Sequence, residues 1–423
     1  MNHAERRLLA IQHYAIPRDV GGGTRLVDLL NRIPQWKPVI LASNFGHNQG
    51  THISTTDERF RLLWVPAYKD NGSARIAGWL TFAAQAFCTG LRTPCDVVFG
   101  SSPQILAPAA ALAVAKLRHK PFVLEIRDLW PESIVTAGEL KAGSAVHRVL
   151  VTLESWLYRN ASRIVVVTKG WEDHIGALGG NVDHIVVVPN GTDLDDFRVD
   201  QTQEELREQY GITGWTAVFS GGHGPYVGLP LILEAAEQLP DVNFLLVGSG
   251  TQKQWAIDEA KTKGLTNVEF RDPVPKAELP RILRACDAGI HSIAPQSVFD
   301  KGMSPNKLFD YMAAGLPVVT NAKIPLSDVI SDDQVGAVVD PPDLAEGIRR
   351  VFEADEQTRQ RWQDFATNLL RTRFSRQAAA DTLAQAFEES LQETGKPSLL
   401  RRSAPLAVGA LGAVALLARR RNR

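Results

Sequence analysis

The sequence predicts an α/β protein built from two parallel β-sheets that are wrapped by helices. Strand-like runs alternate with helical stretches along almost the whole chain, which is the pattern of helix-covered parallel sheets. Most of these runs are continuously apolar, as expected for strands buried on both faces. The length of 423 residues exceeds what one hydrophobic core usually holds, so two domains are expected.

The strand candidates form two series separated by a polar, turn-rich stretch. The first series comprises RRLLAIQHY, KPVILAS, FRLLWVP, CDVVFGSS, KPFVLEIRD, RIVVVTK and HIVVVPN, and the second comprises TAVFSGG, NFLLVGSG, VEFRD, AGIHSIA, PVVTNA and GAVVD. The intervening residues 189–206 are predicted to link two domains, residues 1–190 and residues 191–374. Because ligands bind at the carboxyl ends of parallel strands, the residues that follow each strand are the candidates for chemistry.

The composition is that of an ordinary globular protein. It is 44% hydrophobic and 22% charged, with a net charge of −1. This balance gives no electrostatic reason to expect a nucleic acid partner. The cysteines, Cys88, Cys95 and Cys286, have neither metal-binding spacing nor the arrangement of a disulfide framework, which suits a reducing compartment.

The C-terminal segment differs from the rest of the chain. Residues 404–418, APLAVGALGAVALLA, are uncharged and have arginines on both sides. A helix of this length spans about 22 Å, which is shorter than the roughly 30 Å hydrocarbon core of a bilayer. We predict that residues 399–423 attach the protein to a membrane, by spanning it or lying on it, because arginines suit anionic headgroups. The alternative is an apolar tail docked on this protein or on a partner.

A lysine stands at an unfavourable position near the start of a predicted helix in KGMSPNKLFDYMAAGLPVV, residues 301–319. Ser304 is predicted as the N-cap and Pro305 as the first helical residue. The free N–H donors then belong to Asn306–Leu308. A cation in the first turn faces the positive end of the helix dipole, at a cost of roughly 0.3–1 kcal/mol. Lys307 becomes useful there if an anion occupies the helix start.

A glycine-rich turn, FSGGHGPYVGL, follows the first strand of the second series at Phe219–Leu229. Its glycines let the backbone approach a phosphate closely. The candidates among them are Gly221, Gly222 and Gly224. His223 is placed to donate to a phosphate or a reacting oxygen. The turn has neither the G-x-G-x-x-G nor the Walker pattern, which disfavours hydride transfer and nucleotide hydrolysis. A plain tight turn is the alternative. If the glycine turn and the helix start at Ser304–Lys307 both bind phosphate, the pair predicts a diphosphate and hence a nucleotide sugar.

Ionisable residues cluster after a strand of the first series, in EIRDLWPES at Glu125–Ser133. Arg127, Asp128 and Glu132 are candidates to hold a hydroxyl-rich substrate, with one carboxylate accepting a proton or a hydrogen bond from it. A structural network between the arginine and its acidic neighbours is the alternative.

A second glycine run, DVGGGTRL at Asp19–Leu26, follows the first strand. Gly22 and Gly23 allow close approach of the backbone, and Arg25 is placed to bind a phosphate bidentately. A flexible loop with a surface arginine is the alternative. His47 in SNFGHNQGTH is a further candidate for this side of the protein, and no metal is predicted because a third ligand is missing.

Together these residues resemble those of bacterial glycosyltransferases of family 4, which have the GT-B fold. The matching runs are GGGTR, ASNFGH, EIRDLWPES, PNGTDLDDF, FSGGHG, LLVGSG and SPNKLFDYMAAGLPVV, and they lie within residues 5–395. The chain is most similar to O-antigen and capsule enzymes of the L-fucosamine transferase group. The resemblance implies two Rossmann-like, doubly wound domains that face each other across a cleft, with a last helix at residues 375–395 completing the first domain.

The resemblance also implies an activity. The enzyme would move a hexose or amino sugar from a nucleotide-diphosphate donor, such as a UDP-sugar, with retention and without a metal or cofactor. The acceptor would be polyprenyl-linked or a saccharide in cell-surface polysaccharide biosynthesis, at the cytoplasmic face of the bacterial inner membrane. The alternatives are a GT-B nucleotide-sugar epimerase or hydrolase, and a non-catalytic component of a polysaccharide-assembly complex.

The resemblance assigns the donor to the second domain and the acceptor to the first. The segment Gly222–Gly224 would lie against the diphosphate, and Lys276 near the base. The segment Ser304–Lys307 would approach the phosphates and the donor sugar. Asp310 matches the second glutamate of the family's E-x7-E signature, which holds the ribose.

The resemblance has departures as well as matches. Arg127 and Asp128 match a His-Asp pair that the family often carries near the reacting centre, where Asp128 or Glu132 would guide the acceptor hydroxyl. Gly302 stands where many relatives have the first glutamate of the signature. The arginine and lysine that commonly neutralise the diphosphate are also missing. The residues predicted to supply that charge instead are Lys307, Lys276 and His223.

Overall fold

The chain folds around two parallel β-sheets, one in each of two units. The computed structural model describes residues 5–20, 25–46, 50–68, 72–294, 301–323, 326–327 and 329–394. Unit 1 comprises Met1–Val188 and Ala380–Arg423, and unit 2 comprises Pro189–Ala379. The predicted sites Gly22, Gly23 and His47 and the predicted tail, residues 399–423, lie outside the described residues.

Unit 1 is built on a parallel sheet whose described strands number seven, in the order β5-β2-β1-β6-β7-β8-β9. The strands of unit 1 are β1 Arg6–Ile11, β2 Trp36–Ser43, β3 Phe45–Gly46, β4 Thr51–His52, β5 Phe60–Leu63, β6 Val97–Ser101, β7 Phe122–Ile126, β8 Arg163–Val166 and β9 Ile185–Val187. The antiparallel pair β3 and β4 stands apart from the main sheet and was not predicted from the sequence.

Helices cover the sheet of unit 1. They are α1 Arg25–Leu30, α2 Ser73–Arg92, α3 Leu106–Leu117, α4 Glu132–Thr136, α5 Ala145–Asn160 and α6 Glu172–Ala177. The alanine-rich α3 packs very closely on β6, since a Cβ on Gly100 would lie 2.8 Å from the Cβ of Ala111. In α2, Phe82 is fully buried, whereas Trp79 lies at the edge of the core. Among the described helices, none is long and apolar enough to cross a membrane.

Unit 2 contains a second parallel sheet, with six described strands in the order β12-β11-β10-β13-β14-β15. The strands are β10 Thr216–Ser220, β11 Asn243–Val247, β12 Val268–Arg271, β13 Ala288–His291, β14 Val318–Thr320 and β15 Gly336–Val338. The helices that begin in this unit are α7 Gln203–Tyr210, α8 Leu229–Gln238, α9 Lys253–Thr262, α10 Leu279–Arg284, α11 Asn306–Ala313, α12 Leu344–Phe352, α13 Glu356–Thr372 and α14 Arg376–Thr394.

Two segments connect unit 1 with unit 2, one just before Thr192 and one just after Arg376. Inside unit 2 these segments are hydrogen bonded to each other. The Thr192 N–H donates to the Phe374 carbonyl at 3.0 Å, and the Arg376 N–H donates to an Asp193 carboxylate oxygen at 3.0 Å. A Cβ on Gly191 would lie 2.0 Å from the Phe374 carbonyl oxygen, so only glycine fits there.

Beyond Ala379, helix α14 packs on the sheet of unit 1. The buried ring of Phe387 contacts Trp36 at 5.2 Å and Phe99 at 5.3 Å between ring centroids. The Arg163 guanidinium pairs with Glu389 at 2.9 Å and with Glu393 at 2.7 Å. The last described helix therefore adds apolar contacts and ion pairs to unit 1.

We expect Gly289→Ala to destabilise unit 2 by about 1–3 kcal/mol, because a Cβ at this position would lie 2.3 Å from Cγ of the buried Tyr311. Urea denaturation followed by tryptophan fluorescence measures the change. Gly224→Ala is the matched control, since a Cβ there meets nothing within 4 Å. Equal stability of the two variants would contradict the close packing of β13 on α11.

Candidate functional site

The glycine turn leaves β10 and packs backbone to backbone against the turn that follows β11. The His223 N–H donates to the Ser249 carbonyl at 2.8 Å. A Cβ on Gly248, whose φ is 152°, would lie 1.9 Å from the Gly221 carbonyl oxygen. Only glycine permits this approach, so the two turns hold each other in place.

The outer backbone of this turn faces open space. A Cβ on Gly222 or Gly224 would meet no atom within 4 Å. A Cβ on Gly221 would lie 3.3 Å from the Lys307 Nζ atom, so the ammonium group lies directly beside the turn. Exposed peptide groups next to a cation form a surface suited to an anion.

His223 does not face that surface, in contrast to the sequence prediction. Its side chain is fully buried, with its ring centroid 5.7 Å from that of Phe219 and 6.5 Å from that of Phe270. Burial lowers the pKa of His223 to about 4, and the positive charges of Lys253 and Lys307 add to this shift. The imidazole is therefore neutral near pH 7 and packs under the turn instead of reaching a phosphate.

The side chain of Lys307 places an amino group against an aromatic ring. Its Nζ atom lies 3.8 Å from the ring centroid of Phe219, which is a cation–π contact. Within the described part of the chain, no carboxylate lies within ion-pair distance of Nζ. Burial lowers the pKa of Lys307 to about 7. A bound anion would offset both the lost hydration and the missing counter-charge.

The start of α11 differs by one residue from the sequence prediction. Pro305 is the N-cap and the helix begins at Asn306, whose side chain is exposed. Ser304 does not cap the helix; its hydroxyl accepts the Asn190 N–H at 2.9 Å, and its carbonyl accepts the Asn190 side-chain amide at 2.6 Å. The Leu308 N–H already donates to the Pro305 carbonyl at 3.2 Å, so it is not a free donor.

Asp310 and Lys276, two predicted donor-binding residues, lie close enough to influence each other. Burial raises the pKa of Asp310 to about 6, although the positive charges of Arg376 and Lys276 oppose this shift. The Lys276 side chain is exposed. A partly buried carboxyl group with a nearby ammonium can accept hydrogen bonds from hydroxyl groups, as a ribose would supply.

Tyr311 is a positioning residue that the sequence prediction missed. Its fully buried hydroxyl accepts the Ser220 N–H at 2.8 Å, which ties the last residue of β10 to helix α11. Lys307 lies on the same face of α11, four residues earlier. The hydrogen bond thus fixes the lysine relative to the glycine turn. The i, i+4 spacing and the small Gly289 opposite the ring were the available signals.

His291 is a second residue that the sequence prediction missed. It ends β13, and its Nδ1 atom lies 2.8 Å from the Thr320 hydroxyl. Burial lowers the pKa of His291 to about 3, and the charge of Lys307 contributes. A neutral imidazole therefore stands near the ammonium and adds no positive charge to the site. A polar residue at the end of an apolar strand was the available signal.

In unit 1, Arg25 belongs to a buried hydrogen-bond network. This differs from the prediction that Arg25 binds a phosphate. Its Nε atom pairs with Glu125 at 3.0 Å, and its guanidinium also donates to the Val188 carbonyl. The second carboxylate oxygen of Glu125 accepts the Ser101 hydroxyl at 2.5 Å. The network joins α1, β6, β7 and the end of unit 1. It differs from the predicted alternative, a network of Arg127 with its acidic neighbours, because Glu125 pairs with Arg25.

Arg127 and Asp128 directly follow β7, whereas Glu132 lies at the start of α4. The Arg127 N–H donates to the Ser102 hydroxyl at 2.8 Å. Burial lowers the pKa of Arg127, and burial raises the pKa of Asp128. Glu132 starts α4 and has a carboxylate oxygen 4.0 Å from the His147 ring on α5. Of the two predicted carboxylates, Asp128 interacts electrostatically with Arg127.

Trp130, which follows this pair in the sequence, packs against another aromatic ring in unit 1. Trp79 and Trp130 meet edge to face at 5.4 Å between centroids. The Trp79 indole N–H donates to the Tyr14 hydroxyl at 2.6 Å. Trp130 is buried, whereas Tyr14 and Trp79 are partly exposed and can also pack on sugars or on apolar chains. Among the described residues, no group of three or more histidines, cysteines or carboxylates could hold a metal ion.

We expect Tyr311→Phe to cost about 1–3 kcal/mol of unfolding free energy, because the Ser220 N–H would be left buried without an acceptor. Tyr210→Phe is the control, because in the described structure the Tyr210 hydroxyl makes no hydrogen bond. Urea denaturation of both variants measures the difference. The same loss in the two variants would contradict the role of this hydrogen bond.

Two family models match the chain, one in each unit. The model of a glycosyl transferase 4-like domain matches residues 32–191, and the model of glycosyl transferases group 1 matches residues 202–369. Together the two models cover most of the chain.

Individual glycosyltransferases also resemble the chain in sequence or in structure. The probable glycosyltransferase WbjE of Pseudomonas aeruginosa is 27% identical over 273 residues, which are 62% of this chain and 67% of WbjE. The putative teichuronic acid biosynthesis glycosyltransferase TuaH of Bacillus subtilis is 27% identical over 47% of this chain and 49% of its own length. The structure of Anabaena HepE in complex with UDP-glucose has a TM-score of 0.64 and 19% identity, over 92% of this chain and all of HepE. The chain belongs to the family 4 glycosyltransferases and has their GT-B fold of two Rossmann-like α/β domains.

Proposed function

We propose that this glycosyltransferase moves a hexose or amino sugar from a UDP-sugar to a lipid-linked or saccharide acceptor in cell-surface polysaccharide biosynthesis. The observation that carries the proposal is the unbalanced ammonium of Lys307 beside the open backbone of the glycine turn. A diphosphate supplies the missing negative charge, and exposed peptide groups suit its oxygens. HepE was solved with UDP-glucose, and TuaH carries a name from teichuronic acid biosynthesis, which favours this donor and this pathway class.

The donor half of the reaction depends on electrostatic stabilisation in unit 2. When the bond between the anomeric carbon and the diphosphate breaks, the electron pair goes to the diphosphate oxygen. Lys307 is already positioned by the Tyr311–Ser220 hydrogen bond, so stabilising this charge requires little reorganisation. We therefore propose that the diphosphate leaves without the help of a metal ion or a cofactor.

The acceptor half of the reaction depends on unit 1. We propose that Asp128, whose pKa burial raises, accepts a hydrogen bond from the acceptor hydroxyl. The hydroxyl oxygen forms the new bond on the face that the diphosphate leaves, so the configuration is retained. The hydroxyl proton passes to the departing diphosphate oxygen. The partly exposed rings of Tyr14 and Trp79 favour an acceptor with sugar rings or an apolar chain.

We expect UDP-glucose affinity to fall as the pH rises through about 7, by at most about tenfold per pH unit. Below that pH the Lys307 ammonium is already charged in the free protein. Above it, the neutral amine must take up a proton before it can bind the diphosphate. Isothermal titration calorimetry between about pH 6.5 and 8.5 measures the change. The pKa values of His223 and His291, about 4 and about 3, lie well below this range.

Three variants sharpen this measurement. Lys307→Arg should bind UDP-glucose with an affinity that no longer depends on pH, and Lys307→Met should bind weakly at every pH. Lys261→Met is the control, because Lys261 is an exposed residue of α9. Unchanged affinity in Lys307→Met would contradict the proposed donor site. Consumption of UDP-glucose without any acceptor would favour a hydrolase or epimerase instead.

We also propose that residues 399–423 attach the enzyme to the cytoplasmic face of a bacterial membrane, since their apolar run is flanked by arginines. Deleting these residues should move the protein from the membrane fraction to the supernatant after ultracentrifugation. Replacing the flanking arginines with glutamines should weaken binding to vesicles that contain phosphatidylglycerol. Full retention of the truncated protein on membranes would show that another part of the chain attaches it.

A further inference from the structure

Helix α11 begins without a side chain of its own that caps the first turn. Pro305 is the N-cap residue, and a proline side chain has no acceptor atom for the first N–H groups. A serine, threonine, asparagine or aspartate at that position would accept a hydrogen bond from the second or third helical residue. The proline therefore leaves the first-turn N–H groups to another acceptor, such as a phosphate oxygen.

The same proline removes contacts that usually fix the start of a helix. A capping bond joins the residue before the helix to its first turn, and Pro305 cannot make that bond. Pro305 also has no N–H group with which to bond another segment. The position of this helix start therefore depends on contacts made by the residues beside it.

Asn190 makes such a contact with Ser304, the residue immediately before the N-cap. Its backbone N–H donates to the Ser304 hydroxyl at 2.9 Å, and its side-chain amide donates to the Ser304 carbonyl at 2.6 Å. Ser304 is 8% exposed, so water competes little for these two acceptors. Both bonds use acceptors of Ser304, so they anchor the start of α11 without occupying its N–H groups.

Asn190 is itself attached to unit 2 through the two residues that follow it. Gly191 lies so close to the Phe374 carbonyl that there is no room for a Cβ. The Thr192 N–H donates to the same carbonyl at 3.0 Å. Asn190 is therefore presented to Ser304 from a segment whose own backbone is fixed.

Two separate contacts then hold α11 on either side of Lys307. Ser304 lies three residues before it, and Tyr311, whose hydroxyl accepts the Ser220 N–H at 2.8 Å, lies four residues after it. With the Tyr311 contact alone, the helix start could pivot about that point. The Asn190 contact opposes this movement, so it helps to set where the Lys307 amino group lies relative to the glycine turn.

We infer that Asn190 is a positioning residue of the proposed donor site, which acts through Ser304 and the start of α11. The inference rests on the proposed function and deepens it, because it gives the PNGT segment, residues 189–192, a role in binding the nucleotide diphosphate. The segment fixes the helix start from outside, and the donors of that helix start remain for the diphosphate.

Calorimetric binding of UDP-glucose to full-length variants tests the inference. Asn190→Ala should weaken binding by about fivefold to tenfold, because the hydrogen bond that anchors the Ser304 carbonyl is lost. Asn267→Ala is the matched control in unit 2. The Asn267 amide donates to three backbone carbonyls beside the start of β12, at the opposite end of the sheet from the glycine turn. This control should lose stability in urea denaturation without losing affinity.

A double-variant cycle separates positioning from a merely structural role. If Asn190 acts through α11, Asn190→Ala should cause a smaller loss of affinity in a Lys307→Met background than in the wild type. Asn190→Ser should also weaken binding, and it covers the case in which Asn190→Ala fails to fold. Asn190 has no positive φ, so neither replacement is disfavoured by its backbone conformation.

The outcomes distinguish this inference from the proposed function. Wild-type affinity in Asn190→Ala, an equal loss in the Lys307→Met background, or an equal loss in Asn267→Ala would overturn the inference and leave the proposed donor intact. Inorganic pyrophosphate is the second probe. Pyrophosphate binding that depends on Asn190 and Lys307, without binding of UDP-glucose, would keep the positioning role and overturn the proposed function. Binding of neither probe by the wild type would overturn both.

Discussion

The placement of the Lys307 side chain against the face of Phe219 is the interaction on which the rest of the proposed donor site depends. Among the described residues no carboxylate pairs with this buried ammonium, so burial disfavours its charged form and several independent contacts hold the side chain in place. The Tyr311 hydroxyl bonds to the end of β10, and the small Gly289 makes room for the tyrosine ring. These contacts fix α11 relative to the glycine turn.

Gly302 stands where many relatives have the first glutamate of the family signature. This replacement is consistent with the positive charge that Lys307 brings to the same region. Gly302 has a φ of 106°, a conformation that is strained for any residue with a Cβ. A glutamate at this position would therefore cost backbone energy. It would also place a negative charge five residues before Lys307, close to the start of the same helix. The departure from the family pattern thus removes a carboxylate from a site that already relies on an unbalanced cation.

The sequence predicted the sheets well because their strands are local apolar runs. It could not predict the side-chain contacts that join distant segments. Arg25 looked available because three glycines precede it, yet its partner Glu125 lies a hundred positions later. His223 looked exposed because glycines flank it, yet the turn after β11 covers it. The position of Lys307 in the first turn of a helix was predicted correctly, since that signal lies within one turn, but its contact with Phe219 was not predicted.

The charge of Lys307 can change with its surroundings. Burial lowers the pKa of Lys307 to about 7, so the group can lose its proton in the free protein and regain it when an anion binds. The proposed donor diphosphate, which departs on each turnover, is therefore matched by a lysine whose charge can adjust.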